Sequence, residues 1–179
     1  AFTGCKSLTS LTIPDSVKTI GAQAFSKCGK LTSVSIPDSV TSVGSRAFYD
    51  CENLTRVDIT DLAAWCTIDF AVNESNPLYY AKNLYINNEL VSDIVIPEGA
   101  TSINSYAFNN CTSLSKVILE DGITRLDSNV FVKCTNLKEV VIPNTLKTFN
   151  SNSFANSLEL NIVISDDNPY FRVINGIMY

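Results

Sequence analysis

At 179 residues the chain is long enough to bury one sizeable core, and a hydrophobic content of 45% excludes a disordered polypeptide. A net charge of −5 and a pI of about 4.6 repel phosphate backbones, so nucleic acid is excluded as an expected partner. No apolar run reaches the roughly 20 residues of a membrane-crossing helix, and no basic start followed by an apolar stretch marks a secretion signal.

The chain opens in the middle of a pattern. Ala1-Phe2-x-x-Cys5-x-x-Leu8-x-x-Leu11-x-Ile13-Pro14-x-Ser16-Val17-x-x-Ile20-Gly21 is followed by the same spacing from Ala24-Phe25 and Cys28 to Val43-Gly44. The offset is 23 residues (24 − 1 = 23). Ala47, Phe48, Cys51, Leu54, Val57 and Ile59 stay in step, and an irregular stretch then runs over about 60–90. The pattern returns at Ile94-x-Ile96-Pro97, continues through Phe108, Cys111 and Val117, then Phe131, Cys134 and Val140, and degrades after Phe154. These spacings make seven turns, the fourth and seventh imperfect. The whole of 1–179 reads as one solenoid and as a fragment of a longer chain.

Each Leu-x-x-Val-x-Ile run alternates apolar residues at its end, as a half-buried strand does. The proline after it removes a ladder donor and ends the pairing. Gly21, Gly44, Asn104, Asp127 and Asn150 share one repeat position, and their residue types predict a left-handed turn there. One unit cannot bury its own apolar face, so stacked units must share a core, with like strands about 4.8 Å apart. The expected fold is α/β or mostly β: a right-handed leucine-rich-repeat solenoid with a parallel β-sheet and 23-residue repeats. A parallel β-helix is disfavoured, because the second half of each unit reads as one short turn plus a phenylalanine anchor and offers no further strands.

The phrase Leu-x-x-Val-x-Ile-Pro-x-Ser-Val-x-x-Ile-Gly-x-x-Ala-Phe-x-x-Cys closely resembles the BspA-like leucine-rich repeats of bacterial and some protozoan surface or secreted proteins. The resemblance covers nearly the whole chain and is specific for fold, because the motif encodes packing. Asp61-Leu62-Ala63-Ala64-Trp65-Cys66 with Asn76-Pro77-Leu78-Tyr79-Tyr80, and Asp167-Asn168-Pro169-Tyr170-Phe171, look like variant units of the family. The resemblance implies an extracellular or cell-surface location and adhesion to a protein partner, either host extracellular matrix or another cell-surface protein.

Cys5, Cys28, Cys51, Cys111 and Cys134 occupy one repeat position, which the frame also gives to Asn88 and Ser157. Thiols at one solenoid position point the same way, and neighbours about 4.8 Å apart are poor disulfide partners. They are therefore expected to be reduced and buried, while Cys66 stands apart in the insertion. The phenylalanines at 2, 25, 48, 108, 131 and 154 are expected to form a buried aromatic ladder. The chain has no histidine, which removes the commonest general base and most catalytic triads. No phosphate loop and no dense acidic calcium motif occurs, so no catalytic centre, cofactor or metal site is expected.

Residues between the buried ones of each strand must point outward: Ser10 and Thr12, Ser33 and Ser35, Arg56 and Asp58, Asp93 and Val95, Lys116 and Ile118, Glu139 and Val141. The early turns are bland hydroxyls, and the middle and late ones carry charge and β-branched apolar groups. The insertion adds Trp65, Tyr79 and Tyr80, and Leu84–Val91 reads as a hairpin with an Asn87-Asn88 turn. Trp65 and Ile68 are equally read as plugs of a gap in the core. The candidate protein-binding residues are Arg56, Asp58, Trp65, Tyr79, Tyr80, Lys116, Ile118, Glu139 and Val141, of which the aromatic residues and the arginine are the usual hot-spot types. A passive structural spacer is the alternative. Because Ala1 and Tyr179 fall inside the pattern, open ends and weak self-association are expected.

Overall fold

A computed structural model describes residues 2–157, 159–174 and 177–178. Ala1 and Tyr179, on which the expectation of open ends rests, lie outside the described residues. Each regular coil has three sides. The first is a long strand: β1 (Ser10–Thr12), β3 (Ser33–Ile36), β5 (Arg56–Ile59), β9 (Asp93–Ile96), β11 (Lys116–Leu119), β13 (Glu139–Ile142) and β15 (Asn161–Ile164). The second is a two-residue strand: β2 (Thr19–Ile20), β4 (Ser42–Val43), β6 (Asp69–Phe70), β10 (Ser102–Ile103), β12 (Arg125–Leu126) and β14 (Thr148–Phe149). The third is a run of turns that carries the phenylalanine and the cysteine. All pairing between coils is parallel, and Val34 faces Val57 as Val117 faces Val140, one period apart. The solenoid and its parallel sheets follow the repeat as expected.

Two details depart from the sequence reading. The second half of the coil does contain a strand, short because only two residues pair before the chain turns. The left-handed turn is not at the Gly21 position. Positive φ falls two residues later, at Gln23, Arg46, Tyr106 and Asn129, and again at Gly4, Lys27, Asp50, Asn110, Lys133 and Asn156. Non-glycine residues hold this costly conformation because the turns themselves form a ladder. The amide of Lys27 donates to the Tyr49 carbonyl at 2.7 Å, and that of Asn110 to Val132 at 2.8 Å. Gly44 is explained by close approach: a Cβ there would lie 2.5 Å from the Ala22 nitrogen of the coil below.

The core is continuous along the stack, from Ile13 to Leu146. Phe25 stacks on Phe48 at 5.5 Å and Phe108 on Phe131 at 5.3 Å, and all four are buried. Phe2 belongs to the same ladder, with 5.6 Å between its centroid and that of Phe25, but is 58% exposed because no described coil covers its other face.

The insertion divides the solenoid. After β5 comes α1 (Leu62–Cys66), capped by the Asp61 side chain, which accepts from the Ala64 amide at 2.7 Å. The chain then forms β6, a 3₁₀ turn at Asn73–Ser75, α2 (Leu78–Ala81), and the hairpin β7 (Leu84–Ile86) and β8 (Glu89–Leu90). Strand β7 continues the first sheet, with Leu84 facing Val57 at an offset of 27 (84 − 57 = 27). Asn88 therefore is not at the cysteine position. It and Asn87 form the hairpin turn with φ of 67° and 52°, as the Asn-Asn signal predicts. A further ten residues (94 − 84 = 10) separate Leu84 from Ile94, which starts the second sheet over. The long face is thus two sheets, β1-β3-β5-β7-β8 and β9-β11-β13-β15. Strands β16 (Val173–Ile174) and β17 (Ile177–Met178) also pair antiparallel.

Candidate functional site: the outward face of the long sheets

The outward residues of the first sheet are polar and bonded to one another. Arg56 donates from Nε to Asp58 at 2.7 Å and from Nη2 to the Asn88 side chain at 2.9 Å. Its guanidinium also lies 4.1 Å from the Tyr85 ring centroid. The hydrogen bond it donates to Asp58 holds the guanidinium pKa above its ordinary value. Hairpin β7–β8 therefore acts as a clasp on this arginine, and the two candidates Arg56 and Asp58 satisfy each other.

The second sheet differs. Its strands present Val95, Ile118, Val141 and Val163 at one outward position, each facing the next in register. Val95 is 48% and Val163 39% exposed, with Ile118 and Val141 half-buried between them. With strands about 4.8 Å apart, this is an apolar stripe some three strand spacings long. Beside it runs a polar row, Asp93, Lys116, Glu139 and Asn161. Lys116 bridges Glu139 at 2.7 Å, and the hydrogen bond raises the lysine pKa. Thus the structure brings Lys116, Ile118, Glu139 and Val141 together on one surface.

Trp65 leaves the list of surface candidates. It is 2% exposed, packs edge-on to Phe70 at 5.3 Å, and donates its indole N–H to the Ala107 carbonyl at 2.9 Å. It and the buried Ile68 fill the core where the coil is irregular. Tyr80 is half-buried, and its hydroxyl accepts from the Asp50 amide at 2.9 Å. Tyr79, also half-buried, stacks edge-on to Tyr80 with Lys133 6.0 Å from its ring. Both tyrosines sit on α2, in the turn side of the coil, so they do not share the sheet face with the other candidates.

All six cysteines are free. Five are buried and Cys5 is only half-buried, in the first coil, which corrects the expectation of five equal thiols. The thiols are also donors: Cys28, Cys51 and Cys134 reach the carbonyls of Phe2, Phe25 and Phe108 at 3.1–3.2 Å. Ser157 makes the same bond to Phe131 at 3.4 Å, which explains how serine occupies the position. Burial pushes the thiol pKa of Cys51 and of Cys111 up to about 11.

Sequence reasoning missed Asn76. Its side chain is fully buried, donates to the Tyr106 and Ala107 carbonyls at 2.8 and 2.9 Å, and accepts from the Leu78 amide at 2.8 Å. Asn168 repeats the device, donating to Pro143 and accepting from the amides of Tyr170 and Phe171. The signal was present: both residues precede proline and an aromatic-rich step, and an antiparallel strand pair follows each.

The BspA type leucine-rich repeat region model matches residues 1–74 and 66–172, with six copies. The chain belongs to this family. No curated protein matches it. Among solved structures, it is 30% identical to a leucine-rich repeat protein from Bacteroides ovatus, with a TM-score of 0.60 over 96% of this chain and 40% of that one. It is 27% identical to a leucine-rich cell surface protein from Faecalibacterium prausnitzii, with a TM-score of 0.58 over 95% of this chain and 50% of that one. The pneumococcal vaccine antigen PcpA shares the fold at 24% identity and a TM-score of 0.52, over 87% of this chain and 44% of that one. The chain therefore spans half the length of these proteins or less. In this BspA-type chain the repeat accounts for the buried positions, and the outward residues vary from coil to coil.

Proposed function

We propose that this BspA-type repeat is a protein-recognition module, and that it binds through the outward face of β9, β11, β13 and β15. The observation that carries this reading is the stripe Val95-Ile118-Val141-Val163, flanked by Lys116 and Glu139. A soluble chain has little reason to align four β-branched apolar side chains on a solvent-facing sheet, and an apolar centre with a charged rim is the usual anatomy of an interface. Adhesion to a host extracellular-matrix or other cell-surface protein, at a bacterial surface or outside the cell, is the role we assign. The leucine-rich cell surface protein and the vaccine antigen among its structural relatives support that location. Among the described residues no helix is long and apolar enough to cross a membrane. The reading is one of recognition and not of catalysis.

The test is a binding screen of the folded chain against immobilised matrix and cell-surface proteins, followed by substitution. Ile118→Glu and Val141→Glu should each weaken a bound partner by at least roughly 2 kcal/mol, about 30-fold. Ser10→Ala and Ser33→Ala, on the hydroxyl-bearing end, should leave it unchanged. If only the serine variants weaken binding, the face has been misplaced. If a broad screen finds no partner, the chain is a structural spacer.

A further inference from the structure

The break between the two long sheets is itself a site. Val91 and Ser92 alone connect β8 to β9, a link short enough for a hairpin, yet among the described residues no ladder joins these strands and no strand pairs with the outer edge of β9. At the two ends of β11, the Ser92 carbonyl accepts from the Ser115 amide at 2.7 Å and the Ile96 carbonyl from the Glu120 amide at 3.2 Å. By the two-residue alternation of a strand, the backbone groups of Asp93 and Val95 point the other way, toward β8. Between the splayed edges lies a cleft of about 490 Å³ lined by Leu62, Ile86, Glu89, Leu90, Asp93 and Val95 among others. Leu90 and Val95 are 52% and 48% exposed on its walls. The charged residues of the lining are both acidic, with no lysine or arginine among them.

We propose that this cleft takes an extended, cationic segment of a partner protein as an added strand on the free edge of β9. The proposal rests on the reading of the chain as a protein-recognition module and names how it engages its partner. Unpaired amides and carbonyls supply main-chain hydrogen bonds, which favour an extended backbone over a helix. Leu90 and Val95 receive alternate apolar side chains, and Glu89 and Asp93 select lysine or arginine at the flanking positions. Edge charges alone guard against accidental pairing. Two exposed apolar walls facing the same unpaired edge work against such a guard, and favour an occupant.

The test uses the whole chain and blocked synthetic peptides. The probe is acetyl-Lys-Val-Thr-Val-Lys-amide, compared with the same peptide N-methylated at alternate amides and with its Glu-Val-Thr-Val-Glu counterpart. Titration by NMR should show the lysine peptide binding at least tenfold more tightly than either control, with hydrogen exchange slowed at the Asp93 and Val95 amides. Val95→Pro removes only an amide that faces the cleft, and Leu90→Lys alters an exposed wall without touching the core. Both should lower binding at least tenfold, and the second keeps the test valid if the first disturbs the fold. Equal binding of the lysine and glutamate peptides overturns the proposal, as does no binding at millimolar concentration. If a partner from the screen is lost in Ile118→Glu but retained in Leu90→Lys, the recognition face stands and the strand addition fails.

Discussion

Replacing Asn76 should destabilise this solenoid more than any other polar substitution in the insertion. Its three hydrogen bonds lie where the irregular coil meets the regular one above it. In Asn76→Ala the Ala107 carbonyl keeps the Trp65 indole as a donor, so that group stays satisfied. The Leu78 amide has no such second partner. It sits in a residue with no exposed surface, and orphaning it costs about 1–3 kcal/mol. The Tyr106 carbonyl likewise keeps the Asn109 amide as a donor at 3.0 Å, and loss of the one bond there adds about 0.5–1.5 kcal/mol. The sum is about 1.5–4.5 kcal/mol, or roughly 3–18 °C in melting temperature for a domain of this size. Asn76→Asp should cost more at pH 7, because it keeps the acceptor for Leu78 but turns a carboxylate oxygen toward two carbonyls. Urea melts followed by circular dichroism give the free energies, and hydrogen exchange at Leu78 reports the orphaned amide. A change below about 0.5 kcal/mol in Asn76→Ala would refute the reasoning, since surface substitutions commonly do no more.

The phenylalanine ladder should be the other stability centre: Phe108→Ala is expected to cost roughly 3–5 kcal/mol in denaturant melts and Tyr79→Ala much less, because Phe108 is buried and Tyr79 only half so. Equal losses would mean that the tyrosine carries core packing. Alkylation without reductant should label all six thiols after denaturation and Cys5 ahead of the rest in the native chain; mass spectrometry that finds any disulfide contradicts this. The raised thiol pKa values fix a sign for alkaline pH. The unfolded chain releases its thiol protons near the ordinary 9.0 while Cys51 and Cys111 hold theirs to about 11, so stability is intact below pH 9 and falls between pH 9 and 11. Cys51→Ser should reduce the fall, as read by melting temperature across that range, and an unchanged pH profile would place the loss elsewhere.

The regular coils were legible because every buried position recurs. Alternation in Leu-x-x-Val-x-Ile gave β3, β5, β11 and β13, and the following proline or turn ended them. The Asn87-Asn88 turn was legible for a local reason, since both residues must hold positive φ. The short strands β2, β4, β10 and β12 were not, because two paired residues leave no periodicity to see. Nor was the left-handed position, where Gln23 and Lys27 are held by bonds to the next coil and not by their own preferences. The frame that put Asn88 at the cysteine position misled because the chain spends part of the irregular stretch on α1 and α2 inside a longer coil and part on the hairpin β7–β8.

The same distinction decides which candidate residues matter. Arg56, the tyrosines and Trp65 are the residue types most enriched at hot spots, and type alone ranks them first. In this chain Trp65 is spent on the core, and Arg56 is already paired, bonded and stacked on Tyr85. A partner that took Arg56 would first have to break those contacts, so its binding energy would be offset before any gain. Ile118 and Val141 have the opposite standing. Their type is unremarked at interfaces, but their exposed surface has no intramolecular partner to surrender, and the Lys116–Glu139 bridge beside them sits at a rim where water screens it. For a repeat whose buried positions are set by packing, the available surface is found by asking which outward groups are left unsatisfied. On that criterion the second sheet and its open edge at β9 outrank the arginine clasp.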